Sequence, residues 1–456
     1  MAAHDAITEP LTSFTHSGGV LLDLGGGKRQ SSPVSDYGRA RQASIFIRGL
    51  AGRRPRVPID PHELEQKARE SMSREGFAYV AGGAGIESTV RANRDAFERW
   101  KIIPRMLRNV AERDMSVTLF GRRLPAPVLL APIGVLEMAH RKADLAVAAA
   151  AAREGIPYIF SSQASVPMEK NAAVMGDSPR WFQLYWNRSD ELVRSFIARA
   201  ERSGCEAIVV TVDTAFLGWR TRDLELAYNP FMRGLGIAQY TSDPVFREML
   251  SAALEGPPAE RPPLTLDTVG AAAKIIASYP GSLGSKIRSG EPRKAVQRFL
   301  ASFSRPSLTW DNLSFLRDLT KLPILIKGIQ HPDDAREAIA RGIDGVIVSN
   351  HGGRQVDGAI GSLDALPDVV AAVGDRIPVL FDSGIRGGAD IFKAIALGAT
   401  AVCIGRPYVY GLAIAGEEGV VEVIRNMIAE LDLTMGLTGC SRLEDLTSEM
   451  LSAPRR

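Results

Sequence analysis

The chain has 456 residues, is 45% hydrophobic and 23% charged, and carries a formal net charge of only +3. These values suit a soluble globular protein, and the scattered Lys and Arg residues exclude the basic stripe of a nucleic-acid binder. No apolar run reaches the roughly 18 residues of a membrane span, and Met1-Ala2-Ala3-His4-Asp5 lacks the basic and apolar regions of a secretory leader. The three cysteines, Cys205, Cys403 and Cys440, are widely spaced, form no metal-ligand pattern and suit a reducing compartment. A cytoplasmic protein without membrane association is expected.

Residues 1–40, rich in Gly, Ser and Thr, are expected to form a flexible tail, followed by a single domain over 41–456. Gly25-Gly26-Gly27-Lys28 invites a phosphate-loop reading, but the spacing G-x-x-x-x-G-K-[ST] is missing. Order is expected from about Ile59, with Asp60 capping a helix that has Pro61 at its first turn and runs to about Arg74. From residue 127 onward, apolar β-branched runs alternate with amphipathic helical ones. Strands are predicted at 127–132, 157–161, 180–185, 206–212, 323–327, 344–349, 377–382 and 400–405. Helices are predicted at 142–153, 189–203, 332–341, 364–373 and 388–398. Eight β/α units imply an α/β protein with a (β/α)₈ TIM barrel. A doubly wound open sheet is the structural alternative, disfavoured by the count and by the lack of a Gly-rich first turn.

One connection is abnormally long. Between the fourth and fifth strands, about 218–308 forms an insert with Pro-rich clusters at Gly256-Pro257-Pro258 and Arg261-Pro262-Pro263. An excursion of this length suggests a lid. Short helices are predicted at 244–253 and 267–278, the second with Asp267 as a candidate N-cap.

In such a barrel, chemistry gathers at the C-terminal strand ends. These ends read Ala131-Pro132-Ile133, Ser161, Gln183 with Tyr185, Thr211 with Asp213, Lys327, Ser349 with His351 and Arg354, Asp382-Ser383-Gly384-Ile385-Arg386, and Gly405-Arg406. An imidazole beside a guanidinium suggests a base next to a carboxylate clamp, although His351 alone is as well read as part of a capped turn. Gly384, Arg386, Gly405 and Arg406 after the seventh and eighth strands fall where barrels bind phosphate.

The run Ser349-Asn350-His351-Gly352-Gly353-Arg354-Gln355-Val356-Asp357-Gly358 resembles the signature of the FMN-dependent α-hydroxy-acid oxidases and dehydrogenases. The likeness extends over about 60–437 and includes Asn93-Arg94-Asp95-Ala96-Phe97, Thr211-Val212-Asp213-Thr214 and Lys327-Gly328. Within that family, Gln183-Leu184-Tyr185-Trp186, Leu217-Gly218-Trp219-Arg220 and the insert look most like lactate 2-monooxygenase. The resemblance implies FMN bound by Ala131, Pro132, Ile133, Ser161, Gln183, Thr211, Lys327, Ser349, Asp382, Gly384, Arg386, Gly405 and Arg406. It implies a substrate carboxylate held by Arg220, Arg354 and Tyr79, with Tyr185 at the substrate oxygen. His351 would be the base, paired with Asp213. No metal is implied. The expected reaction is oxidation of an L-2-hydroxy acid with oxygen as acceptor, on L-lactate giving acetate, carbon dioxide and water. An oxidase releasing pyruvate and peroxide, a dehydrogenase with another acceptor and a non-catalytic FMN-binding barrel are the alternatives. A homotetramer is the family's usual assembly.

Overall fold

The computed structural model describes residues 36–252 and 263–452. Its centre is a closed, all-parallel barrel of eight strands: β1 (Val128–Leu130), β2 (Tyr158–Ser161), β3 (Arg180–Leu184), β4 (Ile208–Thr211), β5 (Ile324–Ile329), β6 (Gly345–Val348), β7 (Val379–Phe381) and β8 (Ala401–Ile404). Neighbours in sequence are neighbours in space, and β8 closes on β1 through Val402–Val128, Cys403–Leu129 and Ile404–Leu130. All eight strands fall within the ranges their β-branched runs predict, apart from two further residues at the end of β5.

Side chains on a strand alternate between its two faces. One set here (Leu129, Ile159, Trp181, Val209, Leu325, Ile347, Leu380 and Cys403) packs together inside the barrel. The other (Val128, Phe160, Phe182, Val210, Ile326, Val348, Phe381 and Val402 among them) faces the helices that ring it. A hairpin of Val117–Leu119 and Arg122–Leu124 sends Leu119, Leu124 and Phe120 against the interior set, and Phe120 lies 5.7 Å from Trp181 between ring centres. With one end of the interior stoppered by apolar side chains, the next interior layer is left to the C-terminal strand ends. Two residues beyond the apolar set come Ala131, Ser161, Gln183, Thr211, Lys327, Ser349, Asp382 and Gly405.

The N-terminal region departs from expectation. Instead of beginning near Ile59, regular structure starts with helix α1 (Tyr37–Leu50), so the last residues of the expected tail are helical; residues 1–35 lie outside the described part. Helix α1 has no side-chain cap, which is why local sequence does not announce it. Tertiary contacts hold it instead. Arg41 donates to Glu422 Oε2 at 2.5 Å and to Asn426 Oδ1 at 2.7 Å, and Gly38 N donates to Asp432 Oδ2 at 2.8 Å. These acceptors lie on the C-terminal helix Arg406–Thr438, broken once at Ala415–Gly416. Helix α2 (Pro61–Ser71) starts as predicted, with Asp60 accepting from His62 N and Glu63 N. Helices α3 (Arg74–Ala81) and α4 (Ser88–Arg99) follow.

The insert is folded where described. Its helices include Pro244–Met249, Leu266–Ser278, Leu283–Ser289 and Glu291–Ser302. Thr265, rather than Asp267, caps the helix Leu266–Ser278, because its hydroxyl and that of Thr268 bond each other's backbone N–H reciprocally. The buried carboxylate of Asp243 ties the insert to the helix Asp190–Arg202, accepting from Ser195 Oγ at 2.7 Å and Arg199 Nη1 at 3.0 Å. An aromatic cluster of Phe231, Tyr240, Phe246, Phe299 and Phe303 forms its interior. No helix among the described residues is long and apolar enough to cross a membrane.

Removing one partner of a buried ion pair strands the other charge at a cost of about 3–5 kcal/mol. Arg41→Leu should therefore lower the Tm clearly, since Glu422 is only 5% exposed, and Arg41→Leu with Glu422→Leu should recover most of the loss. A melting curve unchanged by the single substitution would remove α1 from the stabilising set.

Candidate active site

The mouth of the barrel opens into a cavity of about 330 Å³. Lys327, the interior residue ending β5, projects its ammonium between Ser349 Oγ and Asp382 Oδ2, both at 2.9 Å. Ser349 and Ser383 hydroxyls donate to Asp382 Oδ1 at 2.5 and 2.7 Å. Burial works against the Lys327 charge, but Asp382 more than offsets it and the pKa ends above its ordinary value. Burial likewise disfavours the Asp382 anion, yet Lys327 and the serines hold its pKa below the usual range. The pair stays ionised, giving a fixed positive charge at the cavity floor.

The loop after β6 carries His351. Reciprocal amide bonds between Asn350 and Asn93 of α4, at 2.7 and 2.9 Å, fix its start. Asp357 fixes its end by accepting from Ser88 N and Ile86 N at 2.7 and 2.8 Å. Between these anchors His351 adopts φ +59°, and across from it Ser383 adopts φ +89°. Backbone strain of this kind persists only where the surroundings over-determine it. The Ser383 hydroxyl accepts from Gly352 N at 3.0 Å, and the Ser349 hydroxyl from His351 N at 3.0 Å. His351 Nδ1 meets Asp213 Oδ1 at 2.8 Å. A carboxylate only accepts, so Nδ1 carries the hydrogen and Nε2 is left to take a proton. Burial lowers the imidazole pKa, and Asp213 offsets this only in part. The resting base is neutral, with a carboxylate positioned to stabilise the cation.

Two arginines face the same cavity. Arg354 Nη1 donates to Tyr79 O and, at 3.1 Å, to Gly82 O. Arg220 Nη2 donates to Gln355 Oε1 at 3.1 Å. Both guanidinium centres lie over the Tyr79 ring, at 4.9 Å for Arg354 and 6.0 Å for Arg220. Among the described residues neither has a carboxylate within ion-pair distance. Burial first, and the Arg220 charge second, push the Arg354 pKa below the usual guanidinium range. Two buried, mutually repelling cations are relieved by an anion. Tyr185 also borders the cavity, and burial together with the Asp213 charge holds its phenol well above its ordinary pKa. It remains a neutral donor.

Not every predicted residue touches the cavity. Ala131, Pro132, Ile133, Thr211, Asp382, Gly384, Arg386, Gly405 and Arg406 do; Ser161, Gln183, Ser349 and Asp213 do not line it. Ser161 Oγ donates to Gln183 Oε1 at 3.2 Å, while Gln183 Nε2 and Thr211 Oγ1 are buried with no hydrogen-bond partner among the described residues. Arg406 is committed to main-chain carbonyls: Val80 O at 3.0 Å, and Gly352 O and Gly82 O at 2.9 Å. It joins the end of α3 to the His351 loop, a role the strand-end position does not reveal. Gly384 takes φ +97° with a Cβ position 3.0 Å from Asn93 O, so only glycine fits this turn. Sequence reasoning missed the insert's contribution. Asn229, Phe231, Leu300 and Phe303 form part of the cavity wall, and Phe231 packs edge-on to Tyr79 at 6.4 Å. Gln163, at the second strand end, and Gln355, within the motif itself, line the cavity without being among the expected site residues.

The profile of the FMN-dependent dehydrogenases matches residues 68–453. The chain belongs to this family. It is 42% identical to the FMN-dependent alpha-hydroxy acid dehydrogenase qulF of Penicillium citrinum, over 92% of this chain and 96% of that protein. It is 40% identical to the L-lactate oxidase of Lysinibacillus sphaericus, over 88% and 94%. Among solved structures, a mandelate oxidase superposes with a TM-score of 0.69 at 34% identity, covering 87% of this chain and 98% of that one. The cofactor is FMN, and the site fits it. The unpartnered donors of Gln183 and Thr211, the fixed Lys327 charge and the glycine turn ending in Arg386 are groups that a flavin ring and its phosphate satisfy.

Two measurements test this geometry. Because the base must be neutral, kcat/KM for the hydroxy acid should fall as pH drops through a midpoint below the ordinary histidine value of about 6.5. Asp213→Asn removes a charge that raises that pKa, so the midpoint should move lower still and the rate should drop on the order of 10²-fold or more. Arg354→Lys retains a charge but loses the planar fork. KM should rise by tenfold or more while FMN content is unchanged, and an unchanged KM would take Arg354 out of the anion site.

Proposed function

We propose that this enzyme oxidises a small L-2-hydroxy acid, L-lactate being our choice, with oxygen as electron acceptor. Alpha-hydroxy-acid oxidation with FMN follows from family membership; the substrate, the acceptor and the fate of the product are our reading. The substrate carboxylate takes the place between Arg220 and Arg354, with Tyr79 donating from beneath. This leaves the α-hydroxyl and α-carbon toward His351 Nε2, which holds the proton removed, while Asp213 stabilises the imidazolium. Tyr185 supplies a neutral hydrogen bond. FMN, when bound, accepts the two electrons, and the Lys327 ammonium is placed to offset the negative charge it gains.

The single observation that favours a monooxygenase-like outcome is the insert wall. Phe231, Leu300 and Phe303 line the cavity, and we read 218–308 as a lid over it, on a domain of about 41–456. A covered site retains the 2-oxo acid beside the peroxide formed from oxygen. Peroxide then decarboxylates pyruvate, giving acetate, carbon dioxide and water. The likeness to an L-lactate oxidase favours a second reading, release of pyruvate and peroxide. We take the protein as cytoplasmic, from its three widely spaced cysteines, and as a homotetramer, on family resemblance alone.

Product analysis from L-lactate under oxygen separates the two readings. We expect acetate and carbon dioxide in equal amounts with little peroxide. Equimolar free pyruvate and peroxide would overturn the monooxygenase reading and support the oxidase one.

A further inference from the structure

Gln355 follows the clamp residue Arg354, and its side-chain amide bonds three residues of the segment that follows β4. Its Oε1 accepts from Arg220 Nη2 at 3.1 Å. Its Nε2 donates to Asp213 O and to Phe216 O, both at 2.8 Å. The amide cannot be reversed, since a guanidinium only donates and the two main-chain oxygens only accept. The two segments also meet where Arg220 Nε donates to the main-chain oxygen of Arg354 at 3.4 Å. At Gly218 a Cβ would stand 2.4 Å from Arg354 O and 2.8 Å from Gln355 O.

We propose that Gln355 is a positioning residue that aims the Arg220 guanidinium at the substrate carboxylate and ties it to the strand end bearing Asp213. The inference rests on the proposed role of Arg220 as half of the carboxylate clamp. A neutral amide suits the task. It fixes one edge of the guanidinium without neutralising it, so the full charge remains for the ligand. A carboxylate of the same shape would compete with the ligand for Arg220, and would also set its negative oxygens against the carbonyls of Asp213 and Phe216.

The test compares Gln355→Glu, Gln355→Met and Arg220→Gln in the FMN-loaded enzyme. Readouts are KM and kcat for L-lactate, and pyruvate affinity from the change in FMN absorbance. Gln355→Glu should raise KM and weaken pyruvate binding by tenfold or more, with a smaller fall in kcat. Gln355→Met should raise KM and shift the acid limb of kcat/KM to lower pH, because the Asp213 strand end loses an anchor. Should Arg220→Gln weaken pyruvate binding while both Gln355 variants bind it like wild type, changed only in Tm, Gln355 is merely structural and the inference falls. If Arg220→Gln itself leaves pyruvate affinity and KM unchanged, the clamp reading fails, and the inference fails with it.

Discussion

Strand parity governs this molecule. Each barrel strand spends its interior positions first on an apolar layer and then, two residues on, on a polar one. The hairpin with Leu119, Leu124 and Phe120 occupies the other end of the interior, so the polar layer has no alternative place. A one-residue slip in any strand would exchange interior for exterior residues, and register is therefore pinned by the apolar layer beneath the site. Lys327 is the clearest case. It is 4% exposed, and parity brings Ser349 and Asp382 from the next two strands to meet it, the Asp382 charge more than offsetting the burial of its ammonium.

The cations of the site divide into two kinds. Lys327 has its own carboxylate and so belongs to the resting structure, a fixed charge that ligands sense without displacing. Among the described residues, Arg220 and Arg354 hydrogen-bond to carbonyls and an amide and lie over the face of Tyr79, with no carboxylate within ion-pair distance. Their mutual repulsion is relieved when an anion arrives, so binding energy is concentrated at the carboxylate end of the substrate. The His351–Asp213 pair completes the division: the imidazole rests neutral beside the Asp213 carboxylate and becomes a cation only once it has taken a proton.

Much of this was readable from sequence, for a physical reason. Periodicity of two locates strands, and polar residues that end apolar runs locate a site layer; together they lead to Thr211, Lys327, His351 and Asp382 before any coordinates. Three features escaped. Helix α1 lacks a side-chain cap and is held by Arg41 and Gly38 reaching partners 381 and 394 residues away in sequence. The insert's wall residues, Phe231, Leu300 and Phe303, follow no periodicity relative to the barrel, and only packing reveals them. Arg406 occupies a phosphate-type position yet spends its donors on three carbonyls. A motif gives residue types, while partners come from the fold.

The edge-on contact between Phe231 and Tyr79 has a consequence for modularity. Tyr79 sits on α3, whose last turn is gripped by Arg354 and Arg406, so a ring from the insert rests on a residue shared by the anion clamp. The insert is therefore not a portable cap. Transplanting it onto a relative's barrel, or trimming it from this one, changes the surface on which the clamp's tyrosine leans. A change at Phe231 is therefore felt at α3, although the two lie far apart in sequence.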